Sequence, residues 1–89
     1  MAVYLIGYDL NKQDKDYEGL YEAIKSYGTW WHHLDSTWMI DTKHDVDSIF
    51  KKLKPHIDDN DYLLIIQVKD NYSGWLPKKA WEWLRERQF

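Results

Sequence analysis

Val3–Leu10, which reads Val-Tyr-Leu-Ile-Gly-Tyr-Asp-Leu, is the segment that most restricts how this chain can fold. It is rich in β-formers and too short for a fully buried helix, so it is expected as an extended strand. Successive side chains of a strand point to opposite faces. Tyr4, Ile6 and Tyr8 therefore share one face, and Val3 and Leu5 share the other. A strand that is apolar on both sides belongs inside a sheet with cover on both faces. It closes on Asp9, and a charge at the margin of a buried element costs solvation energy unless it has a partner or a role. A polar loop, Asn11 to Asp16, follows at once.

The remaining apolar segments supply the rest of an architecture. Tyr17, Leu20, Tyr21, Ile24 and Tyr27 recur with helical spacing. Asp16 stands where an N-cap is needed, and Gly28 where a helix ends in left-handed geometry. Trp30–Leu34 and Thr37–Thr42 are expected as two strands joined by a turn at Asp35-Ser36. Thr42 with Asp45 resembles a capping box, opening a second helix with Val46, Ile49, Phe50 and Leu53 on one face. Pro55 is expected to end it, and Asp58-Asp59-Asn60 to make the next turn. Tyr62–Val68 is a fourth strand. After a polar connection, Pro77 suits the first turn of a terminal helix that carries Trp81, Trp83 and Leu84.

The order is β-α-β-β-α-β plus a helix, which predicts an α+β, ferredoxin-like sandwich with an extra C-terminal helix. One domain, residues 1–89, accounts for the length. Right-handed crossovers place the first and third strands centrally, with both main helices on one face. Leu20, Ile24, Phe50 and Leu53 are then expected in the helix-covered core. The other face needs separate cover, because Tyr62–Val68 is apolar on both sides too. A second copy of the chain, assisted by the terminal helix, is the expected cover, which makes the chain a homodimer or higher homo-oligomer. A chain this short buries only about 60–65% of its unfolded surface, and association is one way to recover stability.

Composition narrows the function classes. There is no cysteine, so disulfides and thiolate metal sites are excluded. Net charge is −3 and the pI near 5.7, so a global basic field for nucleic acid is absent. Local basic clusters exist at Lys51, Lys52 and Lys54, and at Lys78, Lys79, Arg85 and Arg87. Six Trp, seven Tyr and two Phe are too many to leave exposed without large apolar patches. No apolar run approaches the ~20 residues that span a bilayer. No basic region precedes a long apolar core at the start, so no signal peptide is expected and a cytoplasmic protein is favoured.

The strand closing on Tyr8-Asp9-Leu10, the βαββαβ order and Ser36-Thr37-Trp38 in the second hairpin together resemble the small CRISPR-associated Cas-two proteins and the related VapD toxins. Trp30–Trp38 is most similar to small proteins of a SinR family, a Cas-two-like branch distinct from the repressor of that name. The resemblance runs from Val3 to about Val68. It implies a dimer that binds nucleic acid or nucleotides, with two copies of the aspartate closing the first strand facing each other and holding Mg2+ for phosphodiester cleavage. Asp9 matches that aspartate. Ser36 matches a small residue near the same site, and Tyr8 is expected to help shape it. The resemblance also covers non-catalytic scaffolds, so a binding module for nucleotide or protein capture, as in defence or phage counter-defence, is the competing expectation.

The residues themselves leave two readings of Asp9. A carboxylate is a suitable oxygen ligand for Mg2+, which keeps several waters and so needs few protein ligands. Asp9 can equally cap the following turn or pair with Lys12 or Lys15. His32 and His33, as neighbours on a strand, face opposite ways and cannot easily hold one ion within one subunit, which leaves phosphate contact or acid-base work by one of them as the alternative to ordinary surface or half-buried histidines. Lys51, Lys52, Lys78, Lys79 and Arg85 are the residues expected to meet phosphates, against the plainer reading of solvated helix faces. Trp75 is expected to anchor the terminal helix, with base stacking as the alternative.

Overall fold

The computed structural model describes residues 1–11 and 16–89. Its elements are β1 (Ala2–Asp9), α1 (Glu18–Lys25), β2 (Trp30–Leu34), β3 (Thr37–Thr42), α2 (Val46–Leu53), β4 (Tyr62–Gln67) and α3 (Lys78–Arg85), with a short 3-10 turn at Lys54–His56. The strands form one antiparallel sheet in the order β2-β3-β1-β4, so β1 and β3 are central. No helix among the described residues is long and apolar enough to cross a membrane.

The expected termini are formed with small changes of residue. The Asp16 carboxylate accepts from Glu18 N at 2.9 Å, one step ahead of the helix boundary at Tyr17. Gly28 has φ +88°, a left-handed conformation that costs other residues a Cβ clash. At α2 the cap is Asp45 rather than Thr42. Its carboxylate accepts from Ser48 N at 2.9 Å, while Thr42 Oγ1 accepts from His44 N inside the preceding turn. The Asp45 carboxyl is held below its usual pKa by those Ser48 hydrogen bonds. Pro55 sits in the 3-10 turn that follows α2.

The sheet is a wall between two cores. On the first face, Tyr4, Ile6, Trp38 and Ile40 pack against Leu20, Ala23 and Ile24 of α1 and Ile49 and Leu53 of α2. On the second face, Val3, Trp31 and Met39 pack against Ala80 and Leu84 of α3. α3 is held there by Trp31 Nε1, which donates to the Ala80 carbonyl at 3.2 Å, and by the Arg87–Asp41 ion pair at 3.2 Å.

Phe50 is not in the core: it is 43% exposed, and Val46 is exposed as well. Ile49 and Leu53, one turn apart, are fully buried and define the inner stripe of α2. Phe50 stands ~100° round the helix from Ile49 and falls at its margin. Leu20, Ile24 and Leu53 are buried as expected. The terminal helix covers only part of the second face. On β4, Tyr62, Leu64 and Ile66 remain 67%, 63% and 46% exposed, while the alternate residues Leu63 and Ile65 turn inward onto the first core.

Candidate functional site

Tyr8, Asp9 and Ser36 meet at one end of the sheet, but they do not share a face. Tyr8 is paired with Leu63 and belongs to the first face, where it packs on the main core. Asp9 is paired with Tyr62, is exposed, and belongs to the second face. Strand alternation alone requires this separation.

Tyr8 is locked in place. Its N–H donates to the Ser36 carbonyl at 3.1 Å, its hydroxyl donates to the Asp35 carbonyl at 3.3 Å, and the same oxygen accepts from Trp38 Nε1 at 2.9 Å. Burial raises the pKa of the phenol, and the Trp38 hydrogen bond offsets this in part, so Tyr8 is a neutral hydroxyl at physiological pH. The ring belongs to an aromatic train. Tyr8 lies 6.2 Å from Tyr21, and Tyr21 stacks on Trp38 at 6.0 Å. His32 stacks on Trp38 at 3.7 Å and Trp30 tilts onto it at 5.4 Å. Ser36 takes part through its backbone, in the turn that receives the Tyr8 bond.

Asp9 is the only one of the three that can offer a carboxylate. Its carbonyl receives Asn11 Nδ2 at 3.3 Å, which ties the strand end to the next residues. The pairing with Lys12 or Lys15 lies outside the described residues. No group of three or more His, Cys, Asp or Glu that could hold a metal ion is assembled among the described residues. Asp9 is thus offered to Mg2+ without a preformed cluster of three or more ligands among the described residues. His32 and His33 diverge as expected, His32 onto Trp38 and His33 edge-on to Trp31 at 5.0 Å.

The basic residues do not form one surface. Lys51 and Lys52 lie on α2, over the first face, whereas Lys78, Lys79 and Arg85 lie on α3, over the second. Lys78 pairs with Glu82 at 3.9 Å in solvent, a contact of little energetic weight. Lys52 is held by the Ser26 hydroxyl and the Tyr27 ring.

Trp75 does not anchor α3; it is 99% exposed, at the rim of an apolar cleft of about 330 Å³. Leu5, Trp31, Leu34, Met39 and Trp81 line that cleft. Leu34 reaches it because β2 carries a bulge between Trp31 and Leu34, which shifts the pairing to Leu34↔Thr37. The extra residue reverses the parity of the strand and turns Leu34 to the Trp31 side.

Asp61 is the site residue that sequence reasoning missed. It is 6% exposed. Its Oδ1 accepts from Asn11 N at 2.8 Å and from the Tyr17 hydroxyl at 2.7 Å, and its Oδ2 accepts from Asp58 N at 2.9 Å. One carboxylate thus fastens the end of β1, the start of α1 and the turn before β4. In the run Asp58-Asp59-Asn60-Asp61 nothing in the residue types separates it from its neighbours; only its position directly before an apolar strand hints at burial.

No protein-family model and no curated protein matches the chain.

Proposed function

We propose that this chain is a homo-oligomeric binding module of ferredoxin-like fold, whose second copy covers the free half of the second sheet face and whose ligand is a nucleotide or nucleic acid. The carrying observation is the strip Tyr62, Leu64 and Ile66, which is exposed on a strand that is also the free edge of the sheet. Exposed edges invite pairing, and contiguous apolar patches mark contact surfaces. Trp75 and Leu34 extend the apolar surface of the same face. The antiparallel sheet with helices on both sides is compatible with the ferredoxin-like assignment, and the ligand class follows the likeness of the β1 and hairpin segments to the Cas-two and VapD proteins. Sedimentation at micromolar concentration should show no major monomer. Leu64→Lys should convert the protein to monomer with its circular dichroism unchanged, because the side chain points outward. A wild type that sediments as a clean monomer would overturn the reading.

A second reading, an Mg2+-dependent nuclease, is favoured by the position of Asp9. Its carboxylate is exposed on the same face as the strip, and a two-fold axis passing close to Asp9 would bring the two carboxylates together. The fit of Mg2+ is then a matter of the pair, since octahedral Mg2+ keeps several waters and needs few protein oxygens. Bound Mg2+ supplies an activated water for attack on a phosphodiester. Tyr8 sits across the sheet, so its part is to hold the 35–36 turn. Asp9→Asn should abolish Mg2+-dependent cleavage of RNA or DNA while leaving the dimer intact, and a chelator should do the same to the wild type. Cleavage that persists in Asp9→Asn would exclude this reading.

A further inference from the structure

We propose that the cleft between the end of α1, the end of β3 and α2 binds the terminal phosphate of a small phosphorylated ligand through Lys43, His44 and Lys52. The cleft measures about 380 Å³, at the small end of the roughly 300–1,000 Å³ typical of small-molecule sites. Two segments bring basic groups to it: Lys43 and His44 from the β3–α2 connection, and Lys52 from α2. Ser26 and Tyr27, just beyond α1, form the opposite wall.

The groups are arranged rather than merely near. Lys52 Nζ points to the Ser26 hydroxyl and lies 4.6 Å from the centre of the Tyr27 ring. The His44 ring meets the same Tyr27 ring edge-on at 5.9 Å. Tyr27 is thus a spacer that fixes an ammonium and an imidazole beside one opening. Neither Lys43 nor Lys52 is paired with a carboxylate among the described residues. The acids nearby are engaged elsewhere. Asp41, which also borders the cleft, is neutralised through Oδ2 by Arg87 at 3.2 Å while its Oδ1 is buried without a hydrogen-bond partner among the described residues, and Asp45 is turned to the amide of Ser48. In a chain of net charge −3, two ammonium groups thus stand at one opening, with the single bordering carboxylate among the described residues, Asp41, paired to Arg87. Two ammonium groups and an imidazole around one small opening favour a compact dianion over the dispersed charge of a diester backbone. The cleft belongs to the helix-covered side of the sheet, away from Tyr62, Leu64 and Ile66, so it does not depend on the homo-oligomer.

The test is an NMR titration of the full chain, following backbone amides. The probes are inorganic phosphate, a nucleoside 5′-monophosphate and a short 5′-phosphorylated RNA, each organic probe alongside its unphosphorylated counterpart. Saturable shifts confined to residues 26–27, 43–44 and 52, seen only with phosphorylated probes, are the expected result. Whether the mononucleotide or the RNA end binds tighter then identifies the source of the phosphate. Lys43→Ala and Lys52→Ala should each weaken binding about tenfold or more, the loss of one charge-assisted contact, while Lys69→Ala should not. Lys43 lies in an exposed connection, so Lys43→Ala stays informative if Lys52→Ala perturbs the fold. Leu64→Lys should bind phosphate as the wild type does, which separates this site from the association surface. Absence of saturable shifts, equal binding of unphosphorylated probes, or an equal loss in Lys69→Ala would overturn the proposal.

Discussion

Trp38→Ala should cost about 3–5 kcal/mol, the range for removing a buried aromatic, and leave much of the chain unfolded at ambient temperature. Trp38 is 2% exposed at the centre of the first core, in contact with the rings of Tyr21, Trp30 and His32. Its indole N–H also supplies the hydrogen bond that fixes Tyr8. Substitution removes both packing and a donor in a domain with little stability to spare. Trp38→Phe keeps most of the apolar volume and loses the donor, so its cost should be clearly smaller. Urea unfolding followed by far-UV circular dichroism measures both. A loss below about 1 kcal/mol for Trp38→Ala, well under the usual range, would mean that the aromatic train is not a structural centre.

The second large effect belongs to Asp61. Asp61→Ala removes the acceptor for three donors in three separate segments, Asn11 N, the Tyr17 hydroxyl and Asp58 N. An unsatisfied buried donor costs about 1–3 kcal/mol, and these sites are only partly buried, so a total of about 3 kcal/mol is the expected loss. Asp61→Asn keeps one carbonyl oxygen and should fall between. Asp59→Ala, an exposed neighbour, should stay within about 0.5 kcal/mol. Equal unfolding midpoints for Asp61→Ala and Asp59→Ala would show that the carboxylate is not a fastening point.

The contrast between these residues shows how far the sequence could be read. Strand and helix positions followed from apolar spacing, and the central placement of β1 followed from right-handed crossovers in the β-α-β-β-α-β order. Leu20, Ile24 and Leu53 were legible because each has helical partners that admit a single inner stripe. Phe50 was not: in the two turns of α2, both Ile49 and Phe50 stand at helical spacing from Leu53, and only packing decides between them. Asp45 and Thr42 presented the same ambiguity at the cap. At the candidate site, the separation of Tyr8 from Asp9 was available from alternation, the argument that correctly divides His32 from His33. The side of Leu34 was hidden, because a bulge changes parity without changing composition. Asp61 was hidden because its role depends on segments some 50 residues away in the chain. The division of the lysines between two faces required knowing that α3 crosses to the far side of the sheet.

The alternation along β4 has a consequence for how the protein can diverge. Leu63 and Ile65 are packed on the first core, whereas Tyr62, Leu64 and Ile66 face the other way and are exposed. Every second residue of the strand is therefore constrained less by the first core, and those are the residues that meet whatever lies against the uncovered half of the sheet. Substitutions at these three positions would change what the exposed half of the sheet can meet while leaving the Leu63 and Ile65 contacts with the first core in place.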